Sequence, residues 1–208
     1  MKYLIGIDEA GRGPLAGPVS VGAVRISPDF DWSQIEGVRD SKKLSEKVRE
    51  KIFERAVELR QSDALRFAVC TSSASYIDKY GIVPAIKRAL AETLARLDAD
   101  PRECAVLLDG SLKAPLEYEN QKTIVRGDDS EPVISLASVM AKVMRDRLMR
   151  RIAPRYPSYE FTVHKGYGTS GHLKEIAQFG LSDIHRTSFC SRGCALAQTL
   201  YNPPQYGS

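Results

Sequence analysis

Two apolar runs near the N-terminus, YLIGI at 3–7 and PVSVGAVRI at 18–26, flank a stretch dense in glycine and proline. Short, β-branched runs bounded by such breakers predict two strands joined by a specialised loop, which commits the start of the chain to a sheet. Helical periodicities then alternate with further strands. Ser45 offers an N-cap for a helix over 46–60, where Val48, Ile52, Ala56 and Leu59 recur at helical spacing. RFAVCT at 66–71 predicts a strand. Ile82, Ile86, Ala89, Leu90, Thr93, Leu94 and Leu97 mark one face of a second helix, which starts near Val83 and tolerates Pro84 in its first turn. AVLLD at 105–109 reads as a buried strand ending in an acid, with KTIVRG at 122–127 as its neighbour. A third helix is expected over about 133–152, with Ile134, Ala137, Val139, Val143, Met144, Leu148 and Ile152 on its apolar side and its Arg and Lys residues on the wet side. Beyond Pro154 the sequence is loop-rich until a short helix near 172–179, closed by Gly180. This order predicts an α/β fold, one mixed β-sheet flanked by helices in a single domain.

Composition narrows the classes. Over 208 residues, 43% hydrophobic and 27% charged side chains are ordinary globular usage and argue against a disordered, collagen-like or disulfide-scaffold chain. Thirty Lys plus Arg against 26 Asp plus Glu leave a net charge of +4, which permits a polyanionic partner without requiring one. Cys70, Cys104, Cys190 and Cys194 are too scattered for a zinc ribbon and are expected as reduced thiols. The acidic pair at residue 8 interrupts any secretory signal, and no window approaches the roughly 20 apolar residues of a membrane span. A cytoplasmic protein with no membrane partner is expected.

The chemistry-bearing residues are mostly acids at predicted strand ends. Asp8 and Glu9 precede Gly11, Arg12 and Gly13. Adjacent acids on a regular strand point to opposite faces, so the glycine-rich loop is expected to begin there if both serve one site; an exposed acidic turn is the ordinary alternative. The third glycine of a dinucleotide fingerprint, a P-loop lysine and a G-x-S-x-G elbow are all missing. Asp109 precedes Gly110, and Asp128 and Asp129 follow the last predicted strand. If the sheet gathers these strand ends, the carboxylates repel one another unless a divalent cation sits among them. Oxygen-only ligands suit Mg²⁺ or Mn²⁺, and two such ions can orient a water and neutralise the leaving oxygen of a phosphodiester. His164, His172 and His185 are read as structural: His164 and His172 miss the i,i+4 spacing of a helical zinc pair and receive no metal role.

The string IGIDEAGRGPLAGPV at 5–19 resembles the opening of the ribonuclease HII family, and DSKKLS, LLDG, SLASVMAKVMRD, HKGYGT and IHRTSF follow in that family's order up to about residue 189. The resemblance implies an RNase H-like catalytic domain over 1–189 and a tail over 190–208, a short helical extension that then frays. It also implies a metal-dependent endonuclease, working by a two-metal mechanism in Mg²⁺ or Mn²⁺. Such an enzyme cleaves the RNA strand of RNA/DNA hybrids and nicks on the 5′ side of single ribonucleotides in duplex DNA, leaving 3′-hydroxyl and 5′-phosphate ends, in ribonucleotide removal and primer processing.

Position by position, the family's catalytic and metal-holding carboxylates fall on Asp8, Glu9, Asp109 and Asp128. Asp128 is preferred over Asp129 and Asp146 because it lies about seven residues ahead of the serine of ISLAS, as the family's pattern has it. Asp146 is expected in a structural ion pair with Arg145, Arg147, Arg150 or another basic group. Gly11, Arg12 and Gly13 match the loop that reads the ribonucleotide 2′-hydroxyl through main-chain groups. Tyr167 matches the aromatic at the RNA-to-DNA junction. Lys42 and Lys43 match phosphate contacts, with Lys142, Arg145 and Lys165 as further candidates.

A monomer is expected, and a sliding-clamp contact through the tail stays open. Three alternatives remain beside this reading. A ribonuclease HIII-like enzyme would carry an extra N-terminal domain, for which a strand starting at residue 3 leaves no residues. A non-catalytic hybrid-binding module would use the basic helix at 133–152 and the lysines near 42. A sugar-kinase or actin-like ATPase would need phosphate loops that are not visible.

Overall fold

The computed structural model describes residues 1–38, 44–62 and 64–190. The strands β1 (Tyr3–Ala10), β2 (Val19–Ile26), β3 (Leu65–Ser72), β4 (Cys104–Asp109) and β5 (Gln121–Ile124) form one mixed sheet in the order β3-β2-β1-β4-β5. β1 pairs antiparallel with β2 and parallel with β4, so the first strand becomes the centre of the sheet. Parallel neighbours require a crossover, which the helices α1 (Glu46–Gln61), α2 (Ala74–Tyr80) and α3 (Ile82–Ala95) supply within the chain between β1 and β4. After β5 come the single turn α4 (Gly127–Ser130), the long α5 (Pro132–Ile152), the turn α6 (Phe161–His164) and α7 (Ser170–Phe179).

Strand alternation divides the core between the two faces. Ile5, Ile7, Val106 and Leu108 pack with Ile86, Leu90 and Leu94 of α3, whereas Val24 and Ile26 meet Ile52 and Phe53 of α1 and Val133, Ile134 and Met140 of α5. On the α5 side the helix lies directly on the strands. A Cβ at Gly6 would overlap the main chain at Val133 and Ile134, and one at Gly22 would overlap the Ala137 carbonyl, so these strand glycines are where sheet and helix backbones touch. A smaller cluster of Ala16, Met149, Tyr159, Phe161 and Ile176 anchors α6 and α7 to the end of α5.

The expected elements are present with some corrections. The first strand runs to Ala10, past the expected loop start at Asp8 and Glu9. β5 stops at Ile124, short of residue 127, because Arg126 takes a left-handed φ of 55° and Gly127 opens α4. α2 was not visible in the periodicity; Ser73 caps it and Gly81, at φ 88°, ends it. On α5 the expected sides are partly exchanged: Met144 is 40% exposed, whereas Arg145 is wholly buried. Cys70 and Cys104 are buried free thiols, and Cys190 is buried as well. Cys194, Lys42, Lys43 and the tail from 191 onward lie outside the described residues. Among the described residues no helix is long and apolar enough to cross a membrane.

Candidate active site

The register pairing Ile7 with Leu108 places Asp8 and Asp109 next in line on adjacent parallel strands. Strand parity turns Asp8 toward α5 and Glu9 toward the opposite face. Both nevertheless border one cleft of about 370 Å³ at the strand ends, shared with Asp109, residues 11–13, Arg49, Ser138, Lys142 and Tyr167. Asp8 accepts from the Glu9 N–H at 2.7 Å and from the Ser138 hydroxyl. Burial pushes its carboxyl up to about 8; Ser138 opposes the shift, and the charges of Glu9 and Asp109 add to it. Glu9 is also raised, by burial first, against the pull of Arg12, whose guanidinium lies 3.2 Å from its carboxylate.

Asp109 Oδ1 accepts from the N–H of Gly127 at 2.8 Å and lies 3.4 Å from that of Asp128, so it fastens α4 to the end of β4. Asp128 itself is fully buried and does not line the cleft; its carbonyl accepts from the Ser135 hydroxyl. Three of the four expected carboxylates thus face one cleft, and the fourth joins Asp109 through the backbone. Asp129 is exposed, and Asp146 accepts from Lys142 at 2.9 Å, a structural ion pair with a basic partner one helical turn away.

The glycine-rich loop is held from behind. Gly11 sits at φ 87°, and a Cβ there would run into the Arg145 side chain. Gly13 differs: its φ is ordinary and a Cβ would meet open space, so packing within the chain does not require a glycine there. Arg145 and Lys165 do not reach the cleft as phosphate contacts would. The Arg145 guanidinium donates to the carbonyls of Ala16, Pro18 and Lys165, and the Lys165 ammonium donates to the Thr162 carbonyl. Burial lowers the pKa of both groups.

Arg186, missed in the sequence, is buried beside Arg145 and donates to the carbonyls of Gly11, Arg12 and Gly17 at 2.7–3.0 Å. Sequence reasoning also missed Ser138 and Arg49. Ser138 lies four residues before Lys142 on α5, and that spacing was the signal available for it. Tyr167 stands between glycines on the cleft, 37% exposed as a residue, and Lys142 Nζ is 5.0 Å from its ring centroid. Outside the cleft, His164, His172 and Glu175 bring ligand-type atoms within 4.8 Å of one another; no three of the four expected carboxylates come as close.

Known proteins resemble this one throughout. The family model described as Ribonuclease HII matches residues 5–192. A Ribonuclease HII of Coxiella burnetii is 44% identical over 186 residues, which cover 89% of this chain and 87% of that protein. Among solved structures, the PCNA:RNase HII complex from Archaeoglobus fulgidus superposes with a TM-score of 0.70 at 27% identity, covering 89% of this chain and 94% of that one. Bst-RNase HIII in complex with Mn²⁺ gives 0.68 at 18% identity, covering 95% and 70%, and so shares the fold. These likenesses favour an enzyme over a non-catalytic module and leave no support for an ATPase. With a family model matched from the first strand to the last described residues, the chain belongs to the ribonuclease HII family of RNase H-type endonucleases.

Proposed function

We propose that this enzyme cuts the RNA strand of RNA/DNA hybrids and nicks on the 5′ side of a single ribonucleotide in duplex DNA, leaving a 3′-hydroxyl and a 5′-phosphate. Asp8, Glu9, Asp109 and Asp128 are the proposed catalytic carboxylates. The observation that carries the reading is one cleft bordered by three carboxylates, the residue 11–13 loop and Tyr167. The open space at Gly13 favours close approach of a ribose to the main chain, where a 2′-hydroxyl distinguishes RNA from DNA. Lys142 and Arg49 on the cleft wall favour phosphate, as do Lys42 and Lys43 by sequence. The enzyme is proposed to act as a cytoplasmic monomer, with 1–189 as the catalytic domain and 190–208 as a tail. The PCNA complex of the archaeal relative makes a sliding clamp a candidate partner for it.

A divalent cation fits the donor set. The side chains on the cleft that can ligate a metal are carboxylates and hydroxyls, oxygen donors with no His or Cys among them, the preference of Mg²⁺ or Mn²⁺. Among the described residues, no Lys or Arg forms an ion pair with Asp8 or Asp109. A bound pair of such ions would supply an activated water and neutralise the leaving oxygen. The chain's own part is to hold Asp8 through Ser138, to hold Asp109 through the α4 amides, and to place the scissile phosphate against the carboxylates.

The same electrostatics predict a pH signature. Asp8 titrates in the fold near 8 against an ordinary 3.8, so the stability it contributes when protonated is complete below 3.8 and is lost as pH rises through 8. For cation-free protein, Asp8→Asn is expected to melt close to wild type near pH 4 and clearly higher than wild type above pH 8. Mg²⁺ should lift the wild type and leave the variant unmoved. A gap between the two that stays constant over this pH range, or wild-type melting indifferent to Mg²⁺, contradicts the assignment.

The function is tested by mapping nicks on matched duplexes carrying zero, one or four ribonucleotides, in Mg²⁺, in Mn²⁺ and in EDTA. Incision 5′ to the ribonucleotide with 5′-phosphate ends, absent in EDTA and on all-DNA duplex, is expected. Cyclic 2′,3′-phosphate ends would mean that the ribose hydroxyl attacked, and would overturn the reading.

A further inference from the structure

The ribonuclease reading leaves unused a set of buried histidines behind Tyr167. His185 accepts at Nδ1 from the Ser182 N–H at 2.9 Å, so its proton sits on Nε2. That nitrogen lies 3.0 Å from Nε2 of His172, which must accept and therefore carries its own proton on Nδ1. The Nδ1 of His172 faces the Tyr167 carbonyl at 2.9 Å, and a carbonyl can only accept. Every position in the chain is thus fixed in one direction: Ser182 to His185, His185 to His172, His172 to Tyr167. The Tyr167 carbonyl also accepts from the Thr169 N–H at 2.8 Å, so both of its lone pairs are engaged.

A metal reading of the neighbouring trio fits poorly. Gly166 donates its N–H to His164 Nδ1, which leaves the His164 proton on Nε2, pointed at the Glu175 carboxylate 2.9 Å away. Nε2 would have to lose that proton to ligate. Burial supports neutral rings in the relay by lowering both His172 and His185 to about 4.

We propose that His185 and His172 form a neutral, tautomer-locked relay that positions Tyr167, and that through it these two residues set how tightly the enzyme holds a ribonucleotide junction. This rests on the ribonuclease reading of Tyr167, but the tautomers can be tested without any cleavage. Long-range ¹H–¹⁵N spectra of the full chain at neutral pH should show His172 protonated on Nδ1, and His164 and His185 on Nε2. Added Zn²⁺ should leave those signals in place. A His172 proton on Nε2, a charged ring, or signals displaced by stoichiometric Zn²⁺ would overturn the relay.

The functional arm compares two variants on a one-ribonucleotide duplex. His172→Leu removes the donor to Tyr167 and is expected to raise KM about tenfold, with kcat changed less than about twofold. His172→Asn, whose amide can donate toward the same carbonyl, should recover KM to within about threefold of wild type. If Asn is no better than Leu, or if kcat falls while KM stays, the positioning role is wrong. Wild-type protein that never cuts while its tautomers are as expected would count against the proposed function and not against the relay.

Discussion

Asp109→Asn is expected to slow Mg²⁺-dependent incision by about a thousandfold or more, with little change in KM. The substitution isolates charge from architecture. Asp109 Oδ1 accepts from the Gly127 N–H, and an asparagine side-chain oxygen can keep that bond while removing the negative charge that faces the cleft. The variant's unfolding free energy should therefore stay within about 1 kcal/mol of wild type, the worth of one adjusted hydrogen bond. Single-turnover cleavage beside one ribonucleotide gives the rate, and saturation with duplex gives the binding. Incision within tenfold of wild type would remove Asp109 from the chemistry.

Arg186→Met should have the largest effect on stability. The Arg186 guanidinium is buried and fans out to the carbonyls of Gly11, Arg12 and Gly17. Burial, with the nearby charge of Arg145, brings its pKa down to about 9, so the fold holds this cation at a cost that the three acceptors must offset. A methionine fills similar space but leaves those carbonyls without that donor, a loss of about 3–5 kcal/mol and a melting point lower by roughly 10 °C. Arg186→Lys should recover only part of it, because an ammonium lacks the planar fork that reaches all three oxygens. A methionine variant melting within about two degrees of wild type would show that the loop does not depend on this side chain.

These two residues also mark how far the sequence could be read. Asp109 was legible because a compact apolar run ends in an acid followed by glycine, and β4 is built that way. Arg145 and Arg186 were not, since arginine on a periodic helix or in a polar loop is expected in water. A signal for Arg145 existed: it lies four residues from both Ala141 and Met149, on the buried side of α5, whereas Met144 lies on the exposed side. Asp128 was chosen by family spacing, but its burial depends on the left-handed Arg126 and the turn at Gly127, which periodicity does not reveal. The acidic pair at 8 and 9 borders one cleft although the strand continues past it. The reason is that the cleft lies at the end of the sheet, where opposite faces meet. α2 escaped notice because seven residues give too few turns for an apolar stripe to show.

The parallel pairing of β1 with β4 also orders events during synthesis. About 95 residues separate the two paired segments, and the turn that Asp109 fastens comes later still. An emerging polypeptide therefore carries Asp8 and Glu9 out of the ribosome long before their neighbours exist, and can pair only β1, β2 and β3 in the interval. Assembly of the cleft waits for translation to pass α5 and reach Tyr167, so a truncated nascent product displays the acids without the pocket that would put them to use.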